Sequence, residues 1–127
     1  MLNKNSTNDY LERILILYKD KGFARSVDLA RELGVSKPTV SDAVKRLRDR
    51  QLIDIGDKGN IILTDAGSSI AEKVHKKHRF LRKTLMDIGV NESTADTDAR
   101  KIEHVISDET YKCLMTYFKS YPKVSNN

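Results

Sequence analysis

SVDLARELGVSKPTVSDAVKRLRDR, residues 26–50, decides the fold. Val27, Leu29, Ala30 and Leu33 form an apolar stripe at helical spacing. Gly34 follows where that helix must stop and the chain reverse, a position suited to positive φ. Val35 is a small apolar plug, and Ser36 is an N-cap whose hydroxyl can accept an orphan backbone N–H. Lys37 and Pro38 occupy the next first turn, where proline's missing N–H costs nothing. Val40, Ala43, Val44 and Leu47 then make a buried face. Ser36, Lys37, Thr39, Ser41, Asp42, Lys45, Arg46 and Arg48 are left facing outward. Two helices joined by a tight turn, the second carrying hydroxyls and cations, are the pattern of a helix-turn-helix that reads the DNA major groove. The plain alternative is a helical hairpin with a solvated charged face.

The next stretch, QLIDIGDKGNIILTDAG, favours the DNA reader. Leu52, Ile53 and Ile55 predict one short strand and Ile61, Ile62 and Leu63 another, around a turn-rich loop at 56–60. A β-hairpin directly after a recognition helix is a wing, with Lys58 at its tip. Thr64 caps a long helix expected over about 65–87, rich in Lys73, Lys76, Lys77, Arg79, Arg82 and Lys83.

Upstream, a helix is expected from about Asn8 to Lys21, capped by Thr7 or Asn8, buried through Leu11, Ile14, Leu15 and Tyr18, and stopped by Gly22. Downstream, helices are expected over about 91–106 and 108–119, with Ser107 as an N-cap between them. Their apolar positions include Ile102, Val105, Ile106, Leu114, Met115, Tyr117 and Phe118. The tail YPKVSNN is expected to fray. A winged helix has a core of its own, so these extra helices suggest a twofold dimer interface. Such a dimer sets two recognition helices about 34 Å apart, or a multiple, on a near-palindrome.

Composition agrees. The chain has 127 residues, a formal charge of +5, 32% charged and 39% hydrophobic residues. The charge suits a polyanionic partner. No apolar run is long enough to span a membrane. MLNKNSTNDY lacks the apolar core of a signal peptide. A single cysteine, Cys113, allows no intrachain disulfide, fits a cytoplasmic location and is expected to be buried as a small apolar residue. No Gly-rich phosphate loop, nucleophile elbow or HExxH motif is present, which argues against an enzyme such as a metal-dependent hydrolase.

Acids and histidines at helical spacing raise the question of a metal. Asp9 and Glu12 lie three apart, as do His75 and His78. Asp96, Arg100, Glu103 and His104 share a face, and Glu103, His104 and Asp96 offer O and N donors. Spacing alone leaves open an ordinary solvated face.

The segments NDYLERILILY, VSKPTVSDAVKRLRDRQLI, LTDAGSSIAEKVHKKHRFL and ARKIEHVISDE resemble the diphtheria-toxin-repressor family of metal-dependent transcriptional repressors over roughly residues 8–119. K-x-H-R-F-L and I-E-H-V-I-S-D-E carry that resemblance more specifically than the helix-turn-helix does. The chain ends where larger members continue into an SH3-like domain, so it is similar to the short, two-domain branch of manganese transport regulators. The resemblance implies a mainly α protein: a winged helix-turn-helix DNA-binding domain over 1–70 and a helical metal-binding and dimerisation domain over 71–127. It implies a homodimeric repressor of metal-uptake genes on a palindromic double-stranded operator, with no small organic substrate. It implies Asp9, Glu12, His78, Glu103 and His104 as ligands to Mn²⁺ or Fe²⁺, the sulfur-free set leaning to Mn²⁺. The ion ties the elements together and shifts the population towards the DNA-competent arrangement.

One position departs. The first Glu of the family's E-x-x-E-H motif is Arg100 here, and a guanidinium has no lone pair to give. Three outcomes stand open: Asp96 substitutes, a single ion remains, or Arg100 pairs with Glu103 or Asp9 and replaces the ion by a fixed charge. The alternative function is therefore a regulator of the same fold that binds DNA without metal control or senses another ligand. DNA contacts are expected from Ser36, Lys37, Pro38, Thr39 and Ser41, with Asp42, Lys45 and Arg46 nearby, and from Arg25 and Lys58 on phosphates.

Overall fold

The structure, a computed structural model, describes residues 4–120, with side chains over 6–119. Its elements run α1 (Lys4–Lys21), α2 (Ser26–Leu33), α3 (Lys37–Asp49), β1 (Ile53–Ile55), β2 (Ile61–Leu63), α4 (Asp65–Asp87), α5 (Glu92–Val105) and α6 (Asp108–Ser120). The chain divides into two compact units, one through Lys73 and one from Val74, with α4 contributing to each.

The first unit is a winged helix. Leu11 and Ile14 of α1, Leu29 of α2, Val40 and Leu47 of α3, and Ile53 and Ile61 of the hairpin are buried in one cluster. Gly34 ends α2 at φ 66°, a left-handed conformation in which a Cβ would be strained. Ser36 caps α3, its Oγ accepting the Thr39 N–H at 3.2 Å. The strands pair antiparallel with Ile53 opposite Leu63 and Ile55 opposite Ile61. A 3₁₀ turn at Asp57–Gly59 joins them, with Lys58 itself left-handed at φ 58°. Asn60 fastens the hairpin to the strand-like entry of α2: its Oδ1 accepts the Ala24 N–H at 3.0 Å, and the Ile61 N–H donates to the Ala24 carbonyl at 2.7 Å.

The root of α4 is locked to the corner before β1. Thr64 donates its hydroxyl to the Gln51 carbonyl at 2.8 Å and accepts the Gly67 N–H at 3.1 Å. The Thr64 N–H donates to the Leu52 carbonyl at 3.1 Å. A Cβ at Gly67 would lie 2.0 Å from that same carbonyl oxygen, so only glycine allows the approach.

Four expectations are corrected. The first helix begins by Lys4, not at Asn8, and Thr7 is inside it. Thr7 is buried and accepts from Arg50 at 3.0 Å, so a long-range donor claims the hydroxyl read as a cap. Val27 is 48% exposed. Its neighbour Asp28 is buried instead, accepting from the Arg25 N–H at 3.2 Å and from Arg31 at 2.7 Å, so capping of α2 displaces the apolar stripe. Cys113 is exposed on α6 rather than buried. β1 starts at Ile53, because Leu52 lies in the corner that receives α4. The tail expected to fray, from Tyr121, lies outside the described residues.

The second unit holds the rest of α4 with α5 and α6. Asn91 and Ser107 cap the last two helices, accepting the Ser93 and Thr110 N–H groups at 2.9 and 3.1 Å. Phe80 meets Tyr111 edge-on at 5.6 Å, and Lys77 lies over the Tyr111 ring. Val74, Leu81, Ala95 and Ala99 are buried, whereas Val105, at 83% exposure, and Tyr117 face outward. Among the described residues no helix is long and apolar enough to cross a membrane.

Candidate functional site

The chemistry of the second unit centres on His78. It projects from α4 and is buried between two carboxylates of α5. Its Nδ1 is 3.1 Å from Glu103 Oε1, and its Nε2 is 2.9 Å from Asp96 Oδ1. An imidazolium can donate to both at once; the neutral ring can donate only to one. Glu103 is buried beside it, while Asp96 is half-exposed. Arg82, one turn beyond His78, reaches Asp96 at 3.7 Å and also pairs with Glu92. Burial pushes the Asp96 carboxyl up, but the hydrogen bond from His78 and the charges of His78, Arg100 and Arg82 outweigh it, and the carboxyl lies below its ordinary value. The positive charge of Arg100 therefore falls on Asp96, one turn earlier on the same helix. His104 is half-buried next to Glu103.

In the first unit, α1 carries acids of its own. Glu12 is 1% exposed and Asp9, one turn earlier, is half-buried. The donors on the two units are carboxylate oxygens and imidazole nitrogens. The lone thiol, Cys113, stands exposed on α6. This donor chemistry fits Mn²⁺ or Fe²⁺. Ligation by His78 would use a ring nitrogen that carries no proton.

The winged helix presents its polar face as α3 is built. Ser36, Lys37, Pro38, Thr39, Ser41, Asp42, Lys45 and Arg46 are all exposed, as are Arg25 and Lys58. Ser36 and Thr39 share a hydroxyl contact at 2.8 Å. Asp42 accepts from Arg46 Nε at 2.9 Å. Arg25 stacks on Phe23, its guanidinium 5.0 Å from the ring centroid.

Sequence reasoning missed Asn60, Asp28 and Arg82. Asn60 sits in a turn where any polar residue fits. Asp28 has a signal, an acid at the third helical position that reaches back to the N-cap amide. The fit of Arg82 to Asp96 is set by packing between helices and has no local signal.

Residues 3–60 match the family model described as iron dependent repressor, N-terminal DNA binding domain. Residues 64–125 match the one described as iron dependent repressor, metal binding and dimerisation domain. The chain belongs to the iron-dependent repressor family, which includes the diphtheria toxin repressor. The transcriptional regulator MntR of Salmonella typhimurium (strain LT2) is 33% identical over 90% of this chain and 73% of its own length. MntR of Escherichia coli O157:H7 is 38% identical over 81% of this chain; the match spans 66% of that relative. Among solved structures, the manganese regulator SloR superposes with a TM-score of 0.78 at 28% identity, covering 93% of this chain and 55% of that one. T. acidophilum IdeR gives 0.78 at 29% identity, with 94% and 55% covered. The chain thus spans about half the length of these solved iron-dependent repressor relatives, and its first unit is the winged helix of the family.

Proposed function

We propose that this iron-dependent repressor family member is a cytoplasmic, homodimeric transcriptional regulator without enzymatic activity. It represses metal-uptake genes by binding a palindromic operator when loaded with Mn²⁺ or Fe²⁺. The observation that carries the reading is His78, buried against Glu103 and Asp96 in the unit that matches the metal-binding and dimerisation domain. Buried ionisable groups are costly unless they are paired or coordinate a cation.

The candidate ligands are those the family resemblance implies, Asp9, Glu12, His78, Glu103 and His104, with Asp96 as the carboxylate that would take the place lost at Arg100. An ion held by these residues would neutralise their negative charge. Metal binding that favours the DNA-competent population over the others would make operator affinity rise with metal concentration. On the DNA, Ser36, Lys37, Pro38, Thr39 and Ser41 face base edges and nearby phosphates, with Asp42, Lys45 and Arg46 one to two turns on. Arg25 and Lys58 face the phosphate backbone.

Fluorescence anisotropy on duplex DNA from the protein's own upstream region tests this. Chelator-treated protein, titrated with Mn²⁺ and separately with Fe²⁺, is expected to bind steeply only as metal is added. Equal, tight binding in chelator overturns the metal-responsive reading.

A further inference from the structure

The recognition helix carries one acid in the middle of its outward face. Asp42 stands among Lys37, Lys45, Arg46 and Arg48, on a surface read as facing a polyanion. A carboxylate there repels phosphates, so its presence calls for an account. It is 60% exposed and Arg46 43% exposed, and an ion pair this wet adds little to the fold.

The geometry of the pair supplies the account. Arg46 reaches back one turn and donates through Nε to Asp42 Oδ2 at 2.9 Å. That bond uses the inner edge of the guanidinium. The outer edge, made by Nη1 and Nη2, is the fork that matches two acceptors side by side. On a duplex the acceptor pair with that spacing in the major groove is O6 and N7 of guanine. A long side chain loses rotamer freedom when it binds, and one already held by a neighbour loses less. The carboxyl of Asp42 is held low by the hydrogen bond from Arg46, with burial opposing and nearby positive charges, Arg46 and Lys45 among them, adding to it, so the pair is charge-assisted at neutral pH.

We infer that Arg46 reads a guanine in each half-site, and that Asp42 is a positioning residue that aims its guanidinium. The inference rests on the DNA-binding reading above. Lys37, Lys45 and Arg48 then supply phosphate contacts without base preference.

The test is selection from a randomised duplex DNA pool by the full chain in Mn²⁺, for the parent, Arg46→Lys, Asp42→Ala and Asp42→Glu. Affinities are then measured on the selected duplex and on its single-base variants. The parent is expected to prefer guanine at one position per half-site by about 5- to 150-fold. Arg46→Lys keeps the charge but lacks the fork, and is expected to abolish the preference at that position alone. Asp42→Ala is expected to lower it at the same position by about fivefold or more, with Asp42→Glu recovering part. Loss at a different position in Asp42→Ala means that Asp42 reads a base itself, and overturns the inference. A uniform change in affinity with the selected sequence intact makes Arg46 a phosphate contact and overturns it too. A parent that selects no sequence at all refutes the DNA-binding reading, and the inference falls with it.

Discussion

The two units fill their interiors differently. In the first, a continuous apolar cluster from Tyr10 to Ala71 draws on α1, α2, α3, both strands and α4. In the second, the buried apolar side chains among the described residues are Val74, Leu81, Ala95 and Ala99, and His78 and Glu103 share that interior. The first unit buries ionisable groups too, Glu12 and Asp28, but around a core of large aliphatic residues. Burial of large aliphatic side chains is what stabilises a small domain, at about 1.5–3 kcal/mol each. The first unit therefore carries its own stability, while the second places titratable groups where a small domain places leucine.

Breaking the contrast at its strong end should give the largest effect. Leu47→Ala, fully buried, is expected to lower unfolding free energy by about 2–5 kcal/mol in urea titration. A loss under about 1 kcal/mol would mean that the first unit does not rest on this cluster. At the other end, His78→Ala is expected to weaken Mn²⁺ binding by about 10- to 100-fold in calorimetry while leaving the Leu47 cluster and the far-ultraviolet spectrum intact. His104→Ala should behave alike, reducing the metal response of DNA binding without unfolding the chain. Arg100→Glu sharpens the comparison in the opposite direction. It removes a positive charge that acts on Asp96 and adds a donor, and is expected to tighten Mn²⁺ binding by about tenfold. Unchanged affinity would show that the position lies outside the ligand set. The smallest effect belongs to a surface cap: Ser36→Ala removes the acceptor for the Thr39 amide and should cost about 1 kcal/mol.

Residues 26–63 were legible because their instructions are local. Gly34, Ser36, Pro38 and Thr64 each fix a boundary within a few residues of themselves, and the structure places turn, cap, wing and α4 accordingly. Two of the misreadings share one cause. Thr7 and Val27 have side chains whose place is settled by other residues, Arg50 for Thr7 and the buried Asp28 beside Val27, while Cys113 falls on the exposed face of α6. The candidate site was less legible than the fold. Asp96 stood out as a carboxylate one turn from Arg100, but its contact with His78 joins two helices and has no signature in spacing. The likeness of ARKIEHVISDE and KKHRFL to one family carried the expectation of a ligand set, which periodicity alone did not supply.

The contact between Gly67 and the Leu52 carbonyl has a consequence on the time axis. The Thr64 amide is bonded to that carbonyl and the Gly67 amide to the Thr64 hydroxyl, so neither can meet solvent until the corner before the wing opens. In deuterium exchange these two amides should follow the wing and α3, at the rate of whole-unit opening, and so exchange more slowly than a helix start that frays locally. The first turn of α4 would then belong kinetically to the winged-helix unit, even though the same helix goes on to carry His78.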